Sequence, residues 1–173
     1  MTAESPLGAR SADLERLGAT ELAFLAQLDV RAPAETAAEL GFPLEPNTVV
    51  ADDDRDVLWL GPDEWLVVGA PGSAPSLLEE LSAALGGLHA SIVDVSANRA
   101  VIDLGGAARH ELLSKGCGLD LHPRSWRPGL CAQTLLARIP VLLYERGDVT
   151  RVFVRPSFAS WLVDWLLDAA GLE

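Results

Sequence analysis

The sequence predicts an α+β fold of mostly antiparallel sheets with covering helices. Three observations carry this. Short apolar runs divided by Gly and Pro corners come in groups, and each group ends in one amphipathic helix: strand, strand, helix, again strand, strand, helix, then three strands and a helix. Lone helices after runs of strands mark antiparallel sheet, because a parallel sheet needs a crossover after every strand. At 173 residues and 49% hydrophobic, the chain fits one ordinary globular domain with room for two half-units.

Residues 1–21 are small and polar with no strong period, so they read as a flexible N-terminal arm holding one short helix around Asp13–Leu17; the single α+β domain then spans 22–173. A strand is expected near Ala26–Arg31. Pro33 and Gly41 bracket a short helix, Ala34–Leu40. Two prolines, Pro43 and Pro46, make 42–47 an extended loop. Asp52-Asp53-Asp54 is a solvated turn rather than a calcium loop, since its acids are consecutive where an EF-hand alternates them around a central Gly.

Leu58 to Val68 reads as two apolar strands joined by a Gly-Pro-Asp-Glu corner, with Trp59 and Trp65 on either side and Asp63 and Glu64 at the tip. A helix follows from Ser76, with Glu79 at the capping-box spacing, Leu77, Leu78, Leu81 and Leu85 as its apolar stripe, and Gly86-Gly87 at its end. Ile92 to Val95 and Ala100 to Leu104 are strands around a Ser96-Ala97-Asn98 corner. Gly105-Gly106 is a tight turn into a helix, Ala107–Lys115; it lacks the GxGxxG spacing of a phosphate cradle.

Residues 117–130 are irregular. Arg124 and Arg127 flank Trp126 there, forming a small basic spot in an acidic chain. Two strands within 131–144 are read as broken at Pro140, where a ladder donor is lost. Glu145 to Asp148 is a hairpin turn and Thr150–Val154 the returning strand. The last helix is capped by Ser157 and closed by Gly171, and its stripe of Phe158, Trp161, Leu162, Trp165, Leu166 and Ala169 reads as core.

Composition and motifs narrow the chemistry. Thirteen basic against twenty-five acidic residues give a net charge of −12, with Lys115 the single lysine. Nucleic acid and anionic membrane surfaces need clustered cations, so neither is a partner. The N-terminus shows no signal pattern and no apolar run approaches the roughly 18–20 residues of a membrane span. Cys117 and Cys131 form no CxxC pair, as in a reduced, cytoplasmic chain. His89, His110 and His122 have no partner at ligand spacing, so zinc is not expected here. No GxSxG elbow is present. Asp94, Asp103 and Glu64 make a carboxylate pair only if the fold gathers them. No catalytic, cofactor or metal residue is assigned.

Five motifs in order are Leu58-Trp-Leu-Gly-Pro-Asp-Glu-Trp-Leu-Val-Val68, Val93-Asp-Val-Ser96 with Arg99, Gly116-Cys-Gly-Leu-Asp-Leu-His-Pro123, Cys131-Ala-Gln-Thr134 and Ser157-Phe-Ala159. Together, from about Ala26 to Ala170, the chain resembles the gamma subunit family of heterotetrameric sarcosine oxidase. That family is similar in fold to the folate-binding domain of the glycine-cleavage aminomethyltransferase. The resemblance implies two intertwined half-units and a complex with alpha, beta and delta subunits. Such a complex converts sarcosine and O2, with tetrahydrofolate, to glycine, hydrogen peroxide and methylenetetrahydrofolate. It also implies that FAD, FMN, NAD and zinc sit in the partner chains, and that this chain is an accessory subunit stabilising or positioning the flavin-bearing ones. A charge of −12 agrees, since it repels the polyglutamate tails of folates.

Candidate partner contacts are Asp63 and Glu64 at the hairpin tip, and Trp126 with Arg124 and Arg127, since Trp and Arg dominate interface hot spots. For Trp126, a plug folded onto the chain's own core is the competing reading. A second function is a free-standing folate-dependent or folate-sensing protein of the aminomethyltransferase type, needing Asp94 or Asp103 against a pterin ring. A generic scaffold unrelated to amine oxidation is a third.

Overall fold

The computed structural model describes residues 4–172. The chain divides into two compact units, residues 24–97 and residues 4–23 with 98–172. Each carries one five-stranded, fully antiparallel sheet.

In sequence, residues 24–97 interrupt the other unit. The other unit supplies α1 (Ser11–Arg16) and β1 (Ala19–Glu21) first. Then come β2 (Ala26–Arg31), α2 (Ala34–Glu39), β3 (Val49–Ala51), β4 (Arg55–Gly61), β5 (Glu64–Gly69), α3 (Ala74–Leu85) and β6 (Ser91–Asp94). The sheet order is β3-β4-β5-β2-β6. Alternation along β2 puts Ala26, Leu28 and Val30 on one face, opposite Val67 and Trp65 of β5 in register. Leu77, Leu81 and Leu85 of α3 close over them with Ala37 and Phe42. Trp65 is fully buried; its Nε1–H donates to Pro43 O at 2.7 Å, and Phe42 tilts against it with ring centroids 5.8 Å apart. That bond satisfies the one polar atom of a large core side chain.

In the second unit β7 (Ala100–Leu104), α4 (Arg109–Ser114), β8 (Cys131–Leu136), β9 (Ile139–Glu145), β10 (Thr150–Val154) and α5 (Pro156–Ala170) follow. The sheet order is β1-β7-β10-β9-β8. Ala100, Ile102 and Leu104 alternate with Val152 and Val154 and with Val141 and Leu143 to form the floor. Ala159, Leu162, Val163 and Leu166 of α5 and Leu113 of α4 cover it.

The two units share a plan: strand, helix, three-strand meander, helix, strand. In residues 24–97 the last strand, β6, pairs with the first, β2. In the other unit β1 takes that place beside β7, in register Ala19 to Leu104 and Glu21 to Ile102. A half-unit that ends at α5 thus receives its final strand from the N-terminus.

Residues 4–21 therefore differ from the loose arm expected. Leu7, Leu14, Leu17 and Ala19 are buried in the core of the second unit. Ser5 Oγ donates to Glu21, and Arg10 bridges Asp13 and Asp164 of α5. The few apolar anchors are spread thinly enough that the polar residues between them mask the pattern.

Other boundaries shift for local reasons. α3 begins at Ala74, with Ser73 at the cap and Pro75 in the first turn, rather than at Ser76. The capping box is not made: Ser76 Oγ donates to Ser73 O. Ser157 lies inside α5, because Pro156 holds the first helical position and Arg155 precedes it. The break between β8 and β9 falls at Ala137-Arg138, both left-handed at φ 51° and 70°. Pro140 is tolerated inside β9 because β10 ends opposite Val141, so no ladder from that side reaches it. Asp52 Oδ1 accepts from the N–H groups of Asp54 and Arg55, the turn expected there.

The stripe of α5 is also corrected. Phe158 and Trp161 are 41% and 48% exposed and Trp165 is half-buried, while Ala159 and Val163 face the core. The aromatic side of the helix looks outward.

Candidate functional site

The hairpin corner is built by β4 and β5, which leave Pro62 and Asp63 at the tip and slip register between Trp59 and Gly61. Ala32 N donates to Asp63 O at 3.2 Å, tying the tip to the end of β2. Arg31, opposite Glu64 in the ladder, reaches Glu64 Oε2 at 2.7 Å and Asp63 Oδ2 at 3.8 Å. Partial burial pushes the Glu64 carboxyl above its ordinary range, the charge of Asp29 pushes it further, and Arg31 opposes both. Asp29, Asp63 and Glu64 thus share one patch with Arg31. Asp29 went unnoticed in the sequence; its signal was an acid at an alternating position of a strand. A recess of about 360 Å³ lies beside the corner, lined by Arg31, Pro33, Asp63, His89 and Ser91.

The loop 117–130 resolves in favour of the plug. Trp126 is only 6% exposed and belongs to the core, with no partner for Nε1 among the described residues. Its position is set by a local knot: Ser125 Oγ donates to Asp120 Oδ2 at 2.6 Å, His122 N to Asp120 Oδ1 at 3.0 Å, and Trp126 N to His122 O at 2.8 Å. Trp126 is therefore withdrawn as a partner contact, since its ring faces inward. Arg124 and Arg127 remain exposed.

Neither carboxylate offered for a pterin ring is free. Asp94 Oδ1 accepts from Ser96 Oγ at 2.6 Å and Ser96 N at 2.9 Å, and these bonds hold its carboxyl below the usual range. Asp103 takes Arg151 in a fork at 2.7 and 3.0 Å. Asp94 and Asp103 sit in different units, on β6 and β7.

The most connected acid is Glu145, 1% exposed at the end of β9. Thr150 Oγ1 donates to it at 2.6 Å, Arg109 Nη2 at 2.8 Å and Gly147 N at 3.0 Å, and His110 Nε2 lies 2.9 Å away. Burial raises its carboxyl, but these bonds together outweigh burial and hold it below the ordinary range. All four partners come from α4 and the β9–β10 hairpin, and the carboxylate itself is buried behind them. The cluster is a structural clamp. Cys117 and Cys131 are free and buried. Among the described residues no three His, Cys, Asp or Glu side chains come together as a metal site, and no helix is long and apolar enough to cross a membrane.

The model of the sarcosine oxidase, gamma subunit family matches residues 24–172. Sarcosine oxidase subunit gamma from an Arthrobacter species is 43% identical over 159 residues, 86% of this chain and 77% of that protein. The same subunit from Corynebacterium sp. strain U-96 is 42% identical over the same shares. A chain of the heterotetrameric sarcosine oxidase from Corynebacterium sp. U-96, solved with pyrrole 2-carboxylate, superposes with a TM-score of 0.89 at 36% identity, over 98% of this chain and 96% of that one. The glycine cleavage system aminomethyltransferase T from Bartonella henselae shares the fold, with a TM-score of 0.67 at 15% identity, over 94% of this chain and 49% of that one.

Proposed function

The chain belongs to the sarcosine oxidase gamma subunit family, and on that premise we propose that it is the accessory gamma subunit of a cytoplasmic heterotetrameric sarcosine oxidase, stabilising or positioning the flavin-bearing chains. The likeness to a heterotetramer chain across almost the full length of both carries this reading. The engagement of Asp94, Asp103 and Glu145 in structural contacts supports it further. The reading assigns FAD, FMN, NAD and zinc to the alpha, beta and delta chains. There the N-methyl carbon of sarcosine is oxidised, O2 is reduced to hydrogen peroxide, and tetrahydrofolate takes up the carbon as methylenetetrahydrofolate. Asp63, Glu64, Arg124 and Arg127 are exposed or half-exposed and are retained as partner contacts.

The test is co-expression with the alpha, beta and delta chains, followed by purification through a tag on this chain. The expected result is a complex that releases hydrogen peroxide from sarcosine, while the isolated chain releases none. A tagged chain that emerges alone, or one that turns over sarcosine alone, refutes the subunit reading. Heat on titrating tetrahydrofolate into the isolated chain would instead support the folate-dependent alternative.

A further inference from the structure

The outward side of α5 is unusual for an acidic protein. Phe158, Trp161 and Trp165 fall at i, i+3 and i+7 and line a groove of about 680 Å³ with Lys115 and Gly116 at the end of α4 and with Ala137, Arg138 and Ile139 at the β8–β9 turn. Solitary exposed apolar residues are common, but a contiguous aromatic groove marks a binding surface.

Three features show that the groove is built. Trp165 lies against bare backbone at Gly116, where any Cβ would sit 2.6 Å from the indole. The turn that forms one wall puts Ala137 and Arg138 in the left-handed region that two-residue hairpins usually fill with Asn-Gly. That strain is the kind retained where a side chain must be presented. Last, the charged groups of the groove are both cationic: Lys115, whose Nζ donates to Ala169 O at 2.6 Å, and Arg138, which is exposed and has no ionic partner among the described residues.

We propose that this groove is the face by which the chain docks onto another subunit of the complex, and that the occupant is a segment carrying an apolar side chain beside a carboxylate. The apolar side chain fills the space between Trp161 and Trp165, and the carboxylate pairs with Arg138. Aromatic and Arg anchors of this kind concentrate binding energy. A second copy of the chain is a poorer occupant, because two chains at −12 each repel one another. The proposal rests on the subunit reading and adds the surface and the chemistry of its partner.

The tagged chain is co-expressed with the alpha, beta and delta chains as wild type, Trp161→Ala, Arg138→Glu and Arg138→Lys, and the fraction recovered in complex is measured. Trp161→Ala and Arg138→Glu are expected to lower recovery on the order of tenfold or more, with Arg138→Lys near wild type. Both positions are exposed, so the isolated variants should keep the wild-type urea midpoint, which separates lost docking from lost folding. Wild-type recovery for both variants overturns the groove while leaving the subunit reading intact. A wild-type chain recovered alone refutes both. A dimer of the isolated chain that Trp161→Ala dissolves assigns the groove to self-association and overturns the proposal.

Discussion

Gly116 and Trp165 are in contact such that a methyl group at position 116 would lie 2.6 Å from Cζ2 and 2.7 Å from Cη2 of the indole, and 3.0 Å from Ala137 N. The backbone at Gly116 is not left-handed, so the obstacle to a side chain is steric and not conformational. Gly116→Ala must therefore displace the ring or the β8–β9 turn. The expected cost is about 1–3 kcal/mol, the range for overpacking, despite the lower chain entropy that alanine brings. Urea denaturation measures it, and a gain in stability would show that Trp165 is not seated as described.

How far the sequence revealed this molecule depends on the range of the interaction. The strand expected near Ala26–Arg31 is β2, since a short apolar run carries its strand preference locally even where its period is ambiguous. The β8–β9 break was misplaced because proline announces itself while a left-handed Ala-Arg pair does not. On α5, helical periodicity located an apolar stripe but could not distinguish a core face from an exposed one. Bulky Phe158 and Trp161 drew the stripe toward solvent, while small Ala159 took the buried place. Trp126 is ambiguous in the sequence because an irregular loop has no periodicity to say which way a ring faces. The Glu145 clamp joins residues more than thirty positions apart, so only topology reveals it.

Leu7 is fully buried although it belongs to a segment with the composition of an arm. Leu7→Ala is expected to cost about 2–4 kcal/mol, the range for emptying a buried leucine site. Removing residues 1–21 should be worse, since β7 then loses its β1 neighbour and the core loses Leu14 and Leu17. Denaturation midpoints that match wild type for Leu7→Ala would restore the loose-arm reading.

Glu64 has its carboxyl raised by burial and by Asp29. An acid raised on folding binds its proton more tightly in the native state. Stability is therefore lost as pH rises from the ordinary glutamate value through the folded one. Asp29→Asn removes the neighbouring charge while leaving Arg31 in place. Carbon-detected NMR of the side-chain carboxyl should then show Glu64 titrating at lower pH than in wild type. An unchanged titration would mean that the Asp29 charge does not contribute to the shift.

Glu145 has the opposite sign. Its folded carboxyl lies below the ordinary range because the donors around it outweigh its burial. The stability it contributes is present above the unfolded value and lost as pH falls through the folded one. Glu145→Ala leaves Arg109 without its carboxylate and removes the acceptor for Thr150 and Gly147 N. The cost near neutral pH is expected to be about 3 kcal/mol, the scale for breaking one side of a buried pair. The gap between variant and wild type should narrow as the solution is acidified below about pH 4, because the wild-type carboxylate then takes up its proton. Urea denaturation across that range measures the gap directly. A gap that stays constant into acid would show that the clamp acts through packing and not through charge.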